Sequence, residues 1–301
     1  MGLTHYPNGL TSFGVVLPSS GRHDISGTTY FCDGNFGNDS NDGFSREAPF
    51  KTLAVAFATS HADIARNSDR WARRNTIYIA GDRFTENLVA FPQKTDIIGV
   101  GSCDAFKGAG ILGNHAPVNT HLGTRFFNVN FFPAASTDII TIASTTSGLE
   151  FHDCGFVGKW GAYTAPSAID TTASPMLKVI GSRFNGPFSG DTIDLGAGDI
   201  SGLVIQGNTM AGGASGGVVA TGTLTAAGAM SLGLIADNYI QVAGFTILDG
   251  DDNALNVVGN RCISAGVSEA AAFEIDEGHA VDNVITYNDT TSVMVPIIPS
   301  A

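Results

Sequence analysis

A short phrase recurs six times between Leu149 and Ile285, and no other feature of the chain limits its folding so tightly. The copies read LEFHDCGF, LKVIGSRF, LVIQGNTM, GLIADNYI, LNVVGNRC and GHAVDNVI. Aligned on the sixth letter, they place Cys154, Ser182, Asn208, Asn238, Asn260 and Asn283 in one column. The letter before is Asp153, Gly181, Gly207, Asp237, Gly259 or Asp282, and the eighth is always apolar: Phe156, Phe184, Met210, Ile240, Cys262 and Ile285. Successive columns are 28, 26, 30, 22 and 23 residues apart. A repeat of this length marks a solenoid, with uneven spacing absorbed by loops; the dense leucines of a leucine-rich repeat are missing.

Each phrase reads as a short alternating strand, a bend and a fresh apolar residue. Asn and Gly suit such bends because they tolerate the left-handed backbone. Four units also carry a second strand ending in aspartate: SAID, DTID, TILD and FEID, at Asp170, Asp194, Asp249 and Asp276. The fold class expected is all-β, a parallel β-helix in which like residues of successive coils form ladders ~4.8 Å apart.

A solenoid accommodates 301 residues without dividing into domains. The net charge of −13 argues against a nucleic-acid partner, which needs concentrated Lys and Arg. Cys32, Cys103, Cys154 and Cys262 are scattered, and read as buried small residues rather than disulfides. The seven histidines show no metal-ligand spacing, and no cofactor is expected. Ile200–Ala236 lacks any charged residue, but Gly, Ser, Thr and the repeat itself interrupt it, so it is not read as a membrane span. No basic-then-apolar leader opens the chain, so secretion is not expected.

Four segments follow: an extended arm (1–28), a first strand with loop and helix (29–75), the β-helix (76–291), and a closing strand and tail (292–301). Tyr6, Phe13 and Val15 in the arm would be buried only against something else; a frayed terminus is the other reading. The helix, FKTLAVAFATSHADIA, is expected from near Pro49, with Leu53, Ala54, Phe57 and Ala58 on one face. Phe126–Phe132 reads as one strand with apolar side chains on both faces, hence covered on both sides.

The pattern G-N-D-S-N-D-G-x-S-x-x-x-P-F-K-T-L, with the following NTIYIAGDRFTENLVAFPQKTDIIGVG, resembles the start of pectin-lyase-like right-handed β-helix proteins. The resemblance covers residues 29–115 and implies a right-handed, single-stranded β-helix whose open end is plugged by the helix. It carries fold more than function.

Three sets of residues are candidates for a site. Asp33, Asp39 and Asp42 offer hard oxygens to calcium, although Asp and Asn are also ordinary turn formers. Arg70, Arg73 and Arg74 around Trp71 form the basic concentration of an acidic chain; a protein-contact patch and a solvated helix end fit equally. Asp249, Asp276 and Glu274 are the carboxylates to consider if the chain hydrolyses sugars, a reaction needing two carboxylates ~5 Å or ~6.5–9.5 Å apart. The expected column of Asp170, Asp194, Asp249 and Asp276 also fits turn aspartates at strand ends, the reading favoured here. The signatures of pectin hydrolases and pectate lyases are missing, so an enzyme is not expected.

The opening LTHYPNGLTSFGV resembles leaders of virion proteins of tailed bacteriophages. That resemblance implies a homotrimeric capsid decoration or cement protein, attached through the arm to the major capsid protein or another virion protein outside the head. The alternative is a tail fibre or tailspike that binds or depolymerises a host glycan.

Overall fold

The computed structural model describes residues 27–66, 73–81, 83–101, 108–118, 123–142, 147–171, 176–195, 200–211, 224–226, 230–231, 233–240, 245–247, 255–264, 273–275, 279–281, 284–287 and 295–296, with 11–12 and 15–16. Parallel strands stack into three long sheets, called here faces one, two and three. Face one has ten strands, from Thr29–Asp33 to His279–Val281. Face two also has ten, and face three, from Ile140–Ile142 to Phe273–Ile275, has six. From Asn75 the described strands alternate between faces one and two, and from Ile140 they visit all three in rotation, so the described residues form an all-β parallel solenoid with one helix. Val295–Pro296 ends face two by pairing antiparallel with Val284–Ile285.

The six phrases stack in register. Their eighth letters pair in sequence as Phe156↔Phe184, Phe184↔Met210, Met210↔Ile240, Ile240↔Cys262 and Cys262↔Ile285. Inside, two aromatic columns form: Phe126 stacks on Phe151 at 5.5 Å, and Phe131, Phe156 and Phe184 stack at 5.1 and 4.8 Å. Each such ring contributes roughly 2–3 kcal/mol by burial, and each stacked pair about 1 kcal/mol more.

The bend between faces one and two divides its work between two positions. The left-handed residue is the fifth letter, with φ of 52° at Asp153, 62° at Gly181, 65° at Gly207, 55° at Asp237 and 66° at Gly259. The sixth letter is instead a buried rung. Cys154 N donates to Ser182 Oγ, Ser182 N to Asn208 Oδ1, Asn208 N to Asn238 Oδ1 and Asn238 N to Asn260 Oδ1. Asparagine therefore stands in this column for its two-ended amide rather than for backbone tolerance. Packing explains two of the glycines: a β-carbon on Gly181 would lie 2.6 Å from Asp153 Oδ1, and one on Gly259 2.8 Å from Asp237 Oδ1.

The same bend corrects the reading of Phe126–Phe132. Arg125–Phe127 lies on face one and Asn130–Phe132 on face two, joined through left-handed Asn128 (φ 56°). Phe126, Val129 and Phe131 all point inward, so no covering partner is needed to account for the pattern. This is one more copy of the phrase, with Val129 in the Asn column.

The helix spans Leu53–Arg66 and buries Leu53, Ala56, Phe57, Ser60 and Ile64. Ala54 and Ala58 are exposed, so the buried face is rotated from the one expected. Phe57 sets its edge against Phe91 and Phe126, joining the helix to the solenoid core. The first turn has no acidic residue of its own; Glu86, from the following coil, accepts hydrogen bonds from Leu53 N and Ala54 N at 2.8 and 2.9 Å. A carboxylate there satisfies two orphan donors and meets the positive end of the helix dipole. No helix among the described residues is long and apolar enough to cross a membrane.

Candidate functional site

Strand alternation sends every second residue of face one outward, and stacking turns these residues into columns. One column runs Asp96, Arg125, Glu150, Lys178, alternating in charge from rung to rung. Arg125 grips Asp96 through Nε–Oδ1 at 2.6 Å and Nη2–Oδ2 at 2.8 Å, a fork-on-fork pair. Arg74 Nη1 adds a third bond to Asp96 Oδ1 at 3.1 Å. Glu150 receives Lys178 Nζ at 3.0 Å and pairs with His152 Nε2 at 2.8 Å. Burial pushes the Glu150 carboxyl up, but hydrogen bonds from His152 and Lys178, together with their charges, carry it down to about 2.

The neighbouring outward column runs Phe31, Tyr78, Ile98, Phe127, His152, Ile180. Phe31 and Tyr78 stack at 5.7 Å with 19° between their planes; Phe127 and His152 do so at 4.8 Å, also 19°. All four are half-buried. Exposed Arg46 stands over Phe31, its guanidinium carbon 5.7 Å from the ring centre. Beside this pair is a hollow of about 170 Å³ lined by Phe31, Asp33, Arg46, Pro49, Tyr78 and Val100, among others. A larger apolar groove, about 410 Å³, lies between the helix (Ala54, Phe57, Ala58, His61) and residues 87–92.

On face three, Asp170 pairs in register with Asp194, but the column then continues through Thr225, Thr246 and Glu274. The expected four-aspartate column is therefore two aspartates long. Asp249 and Asp276 lie outside the described residues, and Glu274, not Asp276, occupies the rung in register with them. Burial, then the charges of Asp138 and Asp194, raises the Asp170 carboxyl to about 6.

The other expected site residues are placed as follows. Asp33 Oδ1 accepts from Asn35 N and Phe36 N, Asp42 Oδ1 from Phe44 N, and Asp39 from Lys51 N, Thr52 N and the Thr52 hydroxyl. Each thus closes a local turn or the helix approach, and no His, Cys, Asp or Glu cluster fit for a metal occurs among the described residues. Arg73 binds Asp63 and Thr28, and Arg74 binds Asp96 and the Gly123 carbonyl, so both hold the fold together. Arg70, Trp71, Tyr6 and Phe13 lie outside the described residues; Val15 sits in a two-residue strand. Cys32 and Cys154 are buried free thiols. Sequence reasoning missed the charged column, although its signal was there: Glu150 and Lys178 are the second letters of adjacent phrases.

No family model, curated protein or solved structure matches the chain.

Proposed function

We propose that the chain is a structural protein of a tailed-bacteriophage virion: a trimeric decoration or cement protein held on the outside of the head by its N-terminal arm. The observation behind this reading is that the described strands of the arm, residues 11–12 and 15–16, join none of the three faces. There Thr11–Ser12 and Val15–Val16 pair with each other as a small antiparallel hairpin. The junction is held firmly: Thr28 N donates to Asn75 Oδ1 and Thr28 Oγ1 to Asp63 Oδ2. A phage-like leader ahead of a parallel solenoid is the arrangement expected of an attachment element and a projecting body.

In this reading the coils wind right-handedly, as in pectin-lyase-like proteins, and the helix plugs their open end. The charge of −13 suits a surface turned away from packaged DNA. A protein that binds only the assembled lattice stabilises it by mass action, and three arms multiply weak contacts. The test is deletion of residues 2–26 followed by sedimentation with particles lacking the protein. Binding should be lost while the circular dichroism of the solenoid is kept; undiminished binding refutes the attachment role. Light scattering should give three times the 31.1 kDa chain mass, and a monomer would refute the trimer.

The stacked Asp170 and Asp194 favour a second reading, a tailspike that cleaves host polysaccharide. Release of reducing ends from host polysaccharide, abolished by Asp170→Asn, would establish it over the first.

A further inference from the structure

The groove of about 410 Å³ between the helix and residues 87–92 has apolar walls: Ala54, Phe57 and Ala58 on the helix, Leu88, Val89 and Phe91 on the coil that follows. Val89 is 63% exposed, and Ala54, Ala58 and Ala90 are exposed too. Single exposed apolar residues are ordinary, but an apolar cleft of this size is a place for something to dock. The arm joins the solenoid at one end of this cleft. Thr28 N donates to Asn75 Oδ1, and Asn75 Nδ2 donates to Ser60 O and Ser60 Oγ, one residue before His61 of the groove. Ser60 Oγ shares a hydrogen bond of 2.8 Å with Thr95 Oγ1, which donates to Gln93 O, next to Pro92 on the other wall. Gly27 abuts the Arg74 carbonyl so closely that a β-carbon has no room there. One hydrogen-bonded network thus fixes the point from which the arm departs, beside the His61–Pro92 end of the groove.

We propose that this groove is the docking site of the chain's own arm, with Phe13 and Val15 of the hairpin set against Phe57, Leu88 and Val89. Reach favours the same molecule over a second copy. Ten residues, 17–26, separate Val16 from Gly27, and a chain of that length spans up to ~33 Å. From Ser60 back to Ala54 the helix rises only ~9 Å. A tether so short gives the hairpin an effective concentration on the order of mM at the groove, far above that of another molecule in dilute solution. Composition fits as well. Residues 6–20, YPNGLTSFGVVLPSS, carry no charge, so no ionic group has to leave water when this part of the arm enters an apolar cleft. Phe13 and Gly14 are the two residues between the paired strands, and Val15 follows at once, so the apolar residues come together at one place in the arm. The proposal goes beyond the attachment reading; within that reading, the groove holds the arm until a shell competes for it.

The experiment uses the full-length chain carrying Val89→Cys, with maleimide labelling at that position followed by peptide mass spectrometry. A docked arm should slow labelling at least fivefold relative to the same chain with Phe13→Asp added. Ala58→Arg, at an exposed helix position, should release the thiol to the same extent with unchanged circular dichroism. Ala58→Cys is the second probe if Val89→Cys perturbs the fold. Phe13→Cys combined with Val89→Cys should, on mild oxidation, form a disulfide within one chain, seen at monomer mass on denaturing electrophoresis. Equal labelling with and without Phe13→Asp overturns the proposal, as does slow labelling that Phe13→Asp does not relieve, which assigns the groove to another occupant. A disulfide joining two chains also overturns it, in favour of a second copy's arm. Because no virion enters these measurements, their failure leaves the attachment reading untouched, and failure of attachment leaves the docked arm standing.

Discussion

Replacing Asn238 by alanine tests whether the buried column holds the coils together. Asn238 Oδ1 accepts from Asn208 N at 3.0 Å and Asn208 Nδ2 at 2.9 Å, while its own Nδ2 donates to Ile205 O and to Asn260 Oδ1, both at 2.9 Å. Truncation takes these partners from the Asn208 amide and the Ile205 carbonyl where water does not reach, since Asn208 is 1% exposed. At about 1–3 kcal/mol for each stranded buried group, the two together cost about 4 kcal/mol. Such a loss lies in the upper tail for single substitutions and is a large part of a typical total stability. Asn238→Ser should cost less, because Ser182 already fills this column by accepting from Cys154 N at 3.1 Å and donating to Ile180 O at 3.3 Å. Thr209→Ala, one residue past the column and exposed, is the control and should stay within about 0.5 kcal/mol. Urea unfolding followed by circular dichroism measures the series, and hydrogen exchange should show faster opening of the coils flanking residue 238. Equal midpoints for Asn238→Ala and Thr209→Ala, with unchanged exchange, would refute the reasoning.

Glu86→Ala should lower stability by about 1–2 kcal/mol in thermal unfolding, and Glu86→Gln by less, because the amide still accepts a bond but loses the charge facing the helix dipole. Two carboxyls should respond to pH with opposite signs. Asp170 holds its proton up to about 6 in the fold against an ordinary 3.8, so its contribution falls as pH rises through that window. Asp170→Asn should therefore stabilise the protein at pH 7.5 by roughly 1 kcal/mol, after discounting for the solvent around this half-exposed group. Glu150, at about 2 against an ordinary 4.5, contributes above pH 4.5 and loses that contribution as pH falls toward 2. Glu150→Gln should flatten the acid limb of the melting-temperature profile; an unchanged limb would show that its ion pairs carry no net stability.

The coils were legible because their period is written in residues that face inward, where packing tolerates little. Phe156, Phe184, Met210 and Ile240 fall in register as their alignment predicts. The role of the asparagines was not legible, since a left-handed bend and a buried amide ladder both select Asn; the structure separates them by one residue. Arg125–Phe131 escaped as a copy because Val129 carries no polar signature, and Asn128 looked like part of a strand. Glu86 was invisible as a helix cap because its partners, Leu53 and Ala54, are more than thirty positions away. The aromatic pairs on face one were hidden for the same reason: Phe31 and Tyr78 become neighbours only once the coils are stacked.

The sign alternation of Asp96, Arg125, Glu150 and Lys178 restricts how this molecule can change its length. Excising one complete turn between Asp96 and Lys178 would bring like charges together, Asp96 onto Glu150 or Arg125 onto Lys178. Removing two adjacent turns would restore opposite neighbours. Growth or shrinkage of this part of the rod by whole-unit duplication is thus favoured in even steps, a parity rule set by electrostatics rather than by shape.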